Sequence, residues 1–248
     1  MKNLANKKIL FVICGGISAY KSLELIRLFR KNKATIRTIL TKSAKKFVTP
    51  LSIASLSQGK VYEDLFSIEN ELEMDHIALS RWADVIIVAP VTANTISKLA
   101  SGNAEDLAST VILASNKQVY LAPAMNVRMW EHQSTKDNLK TLKNYGYKVI
   151  GPITGDMACG EYGEGKMSEP IEIFNDLILK ATIFFPRFSE QKVAATFASL
   201  RPGNFKLYTF AYIVLVQLLH HFVYHYARII TSYFHLFHQS CLKPHFPL

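Results

Sequence analysis

The sequence predicts an α/β fold, a doubly wound parallel sheet with helices on both faces, followed by a C-terminal tail of different character. Short apolar, partly β-branched runs recur along residues 1–180, each stopped by glycine, proline or a group of hydroxyl residues. Helix-length segments separate these runs, the pattern of βαβ units. Beyond about residue 181 both the rhythm and the composition change.

The first strand is Lys8-Ile9-Leu10-Phe11-Val12-Ile13, stopped by Gly15-Gly16. From Ile17 to Lys31, Leu23, Ile26, Leu28 and Phe29 recur at helical spacing, with Lys and Arg on the other face. Thr35 to Leu40 is a second strand, and Thr41-Lys42-Ser43 follows it directly. Asp84-Val85-Ile86-Ile87-Val88-Ala89 is the clearest buried strand, with Pro90 expected to end it. Gln118 to Ala122 is another, closed by Pro123. A polar helix from about Met129 to Tyr145 leads into a short strand, Tyr147 to Ile150.

The 248 residues carry 29 Lys+Arg against 19 Asp+Glu, a formal charge of +10. Such an excess invites a nucleic-acid or membrane reading, so its distribution decides. Residues 1–180 hold 23 basic and 18 acidic side chains, and residues 181–248 hold six and one. Each part therefore contributes +5, and the shorter part also holds six of the eight histidines and ten of the fifteen phenylalanines. The break sets two expected regions, a domain over 1–181 and an aromatic, His-rich basic tail over 182–248. An excess of +5 suits a domain that binds phosphorylated ligands, and no nucleic-acid partner is expected. In the tail, the apolar stretch Ala211 to Leu219 is interrupted by Gln217, His220 and His221, short of the ~20 residues a membrane helix needs. An interfacial helix and a poorly ordered segment read out of frame both stay open there. With 49% hydrophobic residues the chain is neither disordered nor collagen-like. Cys14, Cys159 and Cys241 are too scattered for a disulfide framework or a zinc pair, so no metal is expected. The N-terminus shows no signal-peptide pattern, which sets a cytoplasmic expectation.

In doubly wound sheets ligands bind beyond the carboxyl ends of the strands. Four strand ends here carry small or polar residues. Gly15-Gly16-Ile17-Ser18 lets backbone N–H groups approach a phosphate at a helix N-terminus, although a plain tight turn is an equal reading. It is not G-x-G-x-x-G, and the second strand ends in Thr41-Lys42-Ser43 rather than an acid, which favours a mononucleotide over NAD. Pro90-Val91-Thr92-Ala93-Asn94-Thr95 holds more hydroxyl and amide groups than one helix cap requires. Pro123-Ala124-Met125-Asn126 is the fourth. A lone histidine such as His76 reads as a helix-start residue or a satisfied hydrogen-bond partner more often than as a catalyst. The glycine-rich stretch Gly151 to Met167, with Cys159 at its centre, reads as a lid or a disordered loop. A thiol in such a loop is a candidate acid or nucleophile.

Six motifs in register resemble the homo-oligomeric flavin-containing cysteine decarboxylases over roughly residues 5–180. They are Gly15-Gly16-Ile17-Ser18-Ala19-Tyr20-Lys21, Thr41-Lys42-Ser43-Ala44, His76 before Trp82-Ala83-Asp84, Ala89 to Thr95, Pro123 to Asn126, and Ala158-Cys159-Gly160-Glu161-Tyr162-Gly163-Glu164-Gly165-Lys166-Met167. The pattern is most similar to the decarboxylase half of bifunctional phosphopantothenoylcysteine decarboxylase/phosphopantothenate–cysteine ligases. That resemblance implies a flavodoxin-like or Rossmann-like sheet and an FMN cofactor. The FMN phosphate would lie near Gly15, Gly16, Thr41 and Ser43, with Ile17 and Lys42 as further contacts. Thr92, Ala93, Asn94, Thr95, Ala124 and Met125 would cradle the ribityl chain and ring. It further implies oxidation of the cysteinyl end of 4′-phospho-N-pantothenoylcysteine, loss of CO₂, and reduction to 4′-phosphopantetheine. His76 would be the base of the oxidative half, Asn126 would hold the substrate carboxylate, and Cys159 would donate the last proton. Ala158, Gly160, Gly165, Lys166 and Met167 would contact substrate, Met167 and the glycines closing over it. The family builds its site between subunits of a trimer. Nothing after Ala181 resembles the ligase half, so decarboxylation without ligation is expected. The alternatives are a peptidyl-cysteine decarboxylase, a flavin prenyltransferase, a non-catalytic flavin-binding regulatory subunit and an inactive remnant.

Overall fold

The computed structural model describes residues 6–64 and 75–184. Strands β1 (Lys8–Ile13), β2 (Thr35–Leu40), β3 (Val61–Tyr62), β4 (Val85–Val91), β5 (Gln118–Pro123) and β6 (Lys148–Val149) form one parallel sheet, ordered β3-β2-β1-β4-β5-β6. The order reverses between β1 and β4, which opens a crevice beyond their carboxyl ends.

The continuous apolar runs follow from burial on both faces of the sheet. Along β1, Ile9, Phe11 and Ile13 enter one core while Leu10, Val12 and the following Cys14 enter the other. Helices α1 (Ala19–Lys31), α2 (Pro50–Ser57) and α8 (Pro170–Phe184) close the first core, where Phe29 meets Phe11 and Phe174 edge to face. The second is closed by α3 (Asp75–Trp82), α4 (Ala93–Ala100), α5 (Leu107–Leu113), α6 (Val127–Glu131) and α7 (Gln133–Asn144). The expected doubly wound α/β class is the observed one.

Several local expectations change. The strand at Asp84–Ala89 does not stop at Pro90 but continues to Val91, its register against β5 shifting between Val88 and Val91. Proline has no N–H for the ladder, so the shift falls where the bond is missing. The helix expected from Met129 to Tyr145 is two helices, α6 and α7, parted at His132, whose Nδ1 accepts from the Ser134 N–H at 3.2 Å. The glycine-rich stretch 151–167 is not an irregular loop: β7 (Ile153–Asp156) and β8 (Tyr162–Lys166) pair as an antiparallel hairpin.

Connectivity divides the chain into Met1–Phe185 and Pro186–Leu248. The second unit lies outside the described residues, and so do the expectations for Ala211 to Leu219 and the rest of the tail. Among the described residues no helix is long and apolar enough to cross a membrane, and no His/Cys/Asp/Glu group could hold a metal ion.

Candidate functional site

Four loops leave the sheet at fixed heights because hydrogen bonds extend the ladder just past the strands. Cys14 N–H donates to Pro90 O at 3.2 Å, Thr41 N–H to Ile13 O at 3.1 Å, and Ala124 N–H to Val91 O at 3.1 Å. Between these loops lies a cavity of about 1010 Å³.

Gly15 and Gly16 have different reasons to be glycine. A Cβ on Gly15 would collide with the Cβ of Ser43 and sit 2.8 Å from its carbonyl carbon, so the β1 and β2 loops touch there. A Cβ on Gly16 meets nothing within 4 Å. Gly15→Ala is therefore expected to cost about 1–3 kcal/mol of stability through overpacking, and Gly16→Ala less than about 0.5 kcal/mol. Urea unfolding of the two variants measures the difference.

Hydrogen-bonding groups stand ready on these loops. Among the described residues, the N–H groups of Gly16, Ile17 and Ser18 donate to no protein acceptor. Ser18 and Ser43 occupy helix-start positions, yet neither side chain caps its helix. Free N–H groups at a helix N-terminus beside two available hydroxyls favour an anion. On the next loop Thr92 is the cap of α4, its Oγ1 accepting from the Thr95 N–H at 3.3 Å. The polar groups beyond that single cap are Asn94, which lines the cavity, and the Thr95 hydroxyl, which donates to Cys14 Sγ at 3.3 Å.

Cys14, 1% exposed, lines the cavity between the two loops. Burial pushes its thiol up to about 11, against partial opposition from the Thr95 hydroxyl and the Thr92 N–H. The neutral thiol is the folded form at ordinary pH. Because the folded value is the raised one, its contribution to stability is complete below the unfolded thiol value near 9.0 and is lost toward 11. Between those limits the chain should lose about 2–3 kcal/mol that a Cys14→Ala variant does not lose. Denaturant titrations of both proteins at either end of the range provide the test.

Asn126 caps α6, its Oδ1 accepting from the Met129 N–H at 2.8 Å. With Oδ1 occupied, Nδ2 is the group left to donate to a ligand. The hairpin docks alongside, Met125 N–H donating to Gly165 O at 3.1 Å. Gly165, at φ +143°, lies where a Cβ would strike the Met125 carbonyl oxygen and come within 2.9 Å of Met157 Cε. Cys159 is exposed at the hairpin tip and lines the cavity.

The cavity thus brings together Gly15, Gly16, Ile17, Thr41, Lys42, Ser43, Thr92, Ala93, Asn94, Thr95, Ala124 and Met125 with Asn126, Ala158, Cys159, Gly165 and Lys166. It does not include His76, Gly160 or Met167. Gly160, at φ +82°, makes the hairpin turn, its N–H donating to Met157 O. Met167 is wholly buried in the first core, and its carbonyl accepts from Lys21 Nζ at 3.2 Å. His76 is half-buried on α3.

Cys14, Lys98 and Asp106, which carried no site signal in the sequence, also line the cavity, as does Lys21 at the end of the first motif. Lys98 follows Asn94 by four residues on α4, a spacing that puts both on one face. Its ammonium pairs with Asp106 at 3.0 Å and Glu105 at 3.1 Å, contacts that raise its pKa. Burial alone would raise the Asp106 carboxyl, but hydrogen bonds from Ser109 and Lys98 outweigh it and hold it below the usual value. Lys21 is buried and reaches Glu169 at 2.7 Å, tying α1 to the segment before α8.

Comparison with known proteins gives a consistent set of likenesses. The sequence matches the Flavoprotein family over residues 1–182. It is 49% identical over 174 residues to the coenzyme A biosynthesis bifunctional protein CoaBC of Haemophilus influenzae, covering 70% of this chain and 44% of that protein. The Escherichia coli (strain K12) protein of the same name is 43% identical over 171 residues, covering 69% and 42%. The chain thus spans less than half the length of these curated relatives. Among solved structures, a cysteine-to-serine mutant of PPC decarboxylase complexed with pantothenoylaminoethenethiol is similar at 33% identity and TM-score 0.65, covering 71% of this chain and 99% of that one. The FMN-binding protein AtHal3 is similar at 34% identity and TM-score 0.63, covering 70% and 96%. Peptidyl-cysteine decarboxylase EpiD, at 23% identity and TM-score 0.60 over 68% and 97%, shares the fold.

Proposed function

The chain belongs to the flavoprotein family, and on that premise we propose that it is an FMN-dependent carbon–carbon lyase of coenzyme A biosynthesis. Its substrate is 4′-phospho-N-pantothenoylcysteine and its product 4′-phosphopantetheine. One observation carries the reading. A single cavity at the strand-order reversal joins unused anion donors, the Asn126 amide and the Cys159 thiol. The likeness to PPC decarboxylase over 99% of that chain supports it.

The residues fit the cofactor. The free N–H groups of Gly16, Ile17 and Ser18, with the Ser18 and Ser43 hydroxyls, suit its phosphate. Thr92 to Thr95, Ala124 and Met125 line the remainder. When bound, FMN supplies a reversible two-electron oxidation of the cysteinyl group, after which CO₂ leaves readily because the electrons left behind delocalise onto sulfur. Asn126 Nδ2 donates to the substrate carboxylate and orients it. The Cys159 thiol delivers a proton to carbon in the reductive half. The His76 imidazole takes the proton released in the oxidative half. The active species is taken to be a homo-oligomer, a trimer or a multiple of trimers, as the family resemblance implies; that His76 does not line the cavity of its own chain supports its being presented by a second copy. The enzyme is assigned to the cytoplasm. The domain of residues 1–181 is assigned no part in ligation, and residues 182–248 no catalytic role.

The test begins with the purified full chain. It should be yellow, release FMN on denaturation, and liberate CO₂ from 4′-phospho-N-pantothenoylcysteine. The Cys159→Ser variant should still release CO₂ but form no 4′-phosphopantetheine. A yellow oligomer without CO₂ release would sink the decarboxylase reading and favour a regulatory flavin-binding subunit.

A further inference from the structure

We propose that Glu161, absent from the catalytic set above, is the positioning residue that fixes the Cys159 tip against Asn126; the inference rests on the functional reading just given. Two hydrogen bonds bracket Asn126. The N–H of the residue before it, Met125, donates to Gly165 O at 3.1 Å. The N–H of the residue after it, Val127, donates to Glu161 Oε2 at 3.3 Å. The same glutamate also closes the tip, because its backbone oxygen accepts from Met157 N–H at 2.9 Å, while Gly160 N–H donates to Met157 O at 2.9 Å. Cys159 sits inside that closed turn. Glu161 is thus bonded both to the turn that carries the thiol and to the backbone beside the amide that holds the carboxylate.

Packing leaves the hairpin little freedom to compensate. Gly163 lies so close to Val127 that a Cβ there would be 2.8 Å from Cγ2. The strand therefore lies flush on residues 125–127, and Glu161 sets where its free end stops. Asn126 and Cys159 act on one cysteinyl group, the first on the carboxylate that leaves and the second on the carbon that must be protonated. Their separation has to match that group. An error of about 1 Å in such a placement costs up to about 100-fold in rate.

The experiment compares Glu161→Ala and Glu161→Gln with the wild-type holoenzyme under anaerobic conditions. In a single turnover, CO₂ release accompanies bleaching of the flavin, and colour returns when the product is reduced and protonated. Glu161→Ala should bind FMN and release CO₂ at the wild-type rate but recover colour about 10- to 100-fold more slowly. Glu161→Gln keeps an acceptor oxygen for Val127 N–H and should recover within about threefold of wild type. Hydrogen exchange in the resting protein should show the Val127 amide at least about tenfold faster in Glu161→Ala only. If Glu161→Ala slows CO₂ release and colour recovery equally, the residue is merely structural and the proposal is overturned. Unchanged recovery overturns it as well. A wild-type protein that binds FMN yet releases no CO₂ overturns the functional reading, and the positioning role of Glu161 with it.

Discussion

His76→Asn is expected to lower turnover by about 10²- to 10⁴-fold while the protein stays folded and yellow. The substitution keeps size and polarity and removes the imidazole, so on the functional reading above the oxidative half loses its proton acceptor. His76 is half-buried on α3 and does not line the cavity of its own chain. A large catalytic loss from such a position is the outcome expected if the imidazole serves a neighbouring copy. Co-refolding His76→Asn with Cys159→Ser, neither of which should form 4′-phosphopantetheine at an appreciable rate alone, separates the possibilities. If each site takes its histidine from one subunit and its thiol from the next, random pairing at a 1:1 ratio restores roughly a quarter of the sites. No recovery in mixed oligomers would show that the site is not shared.

Asn126→Asp is expected to reduce kcat/KM at least about 100-fold with no measurable change in unfolding. Aspartate caps a helix as well as asparagine does, so the bond from Met129 N–H that holds the start of α6 survives. The Nδ2 donor is lost, and a negative charge faces the substrate carboxylate. Removing a donor to a buried anion alone costs about 10²- to 10³-fold. Asn126→Ala loses the cap too and should fall about 1 kcal/mol in stability. Thermal melts beside steady-state kinetics distinguish the two effects. A stable Asn126→Asp variant with ordinary turnover would remove Asn126 from the substrate site.

The sequence displayed the sheet clearly because strands buried on both faces are continuous apolar runs, as β1 and β4 are. It concealed the hairpin because β7 and β8 are held by backbone pairing and by close approach to residues 125–127, not by an apolar pattern. Glycines that let β8 lie flat look, in one dimension, like glycines of a loose loop. The break at His132 was hidden because polar residues continue through it. The cavity was legible at its strand ends, where hydroxyls and glycines stand out after apolar runs. Cys14 was not, because it sits at the end of such a run and resembles core. Lys98 and Asp106 are eight residues apart and meet only through the turn between α4 and α5. Met167 shows the opposite case: it follows the cavity-lining Lys166, yet its side chain turns into the core.

The contact between Gly15 and Ser43 has a consequence for how this fold can change. A side chain at position 15 is tolerated only if the loop after β2 retreats, and that retreat would draw Thr41 and Ser43 back from the cavity they line. The two positions are therefore expected to behave as one epistatic unit, drift at either being gated by the other. Directed evolution toward another nucleotide would have to randomise 15 and 43 jointly. Gly16, where a Cβ meets no protein atom within 4 Å, is not coupled to the loop after β2 in this way.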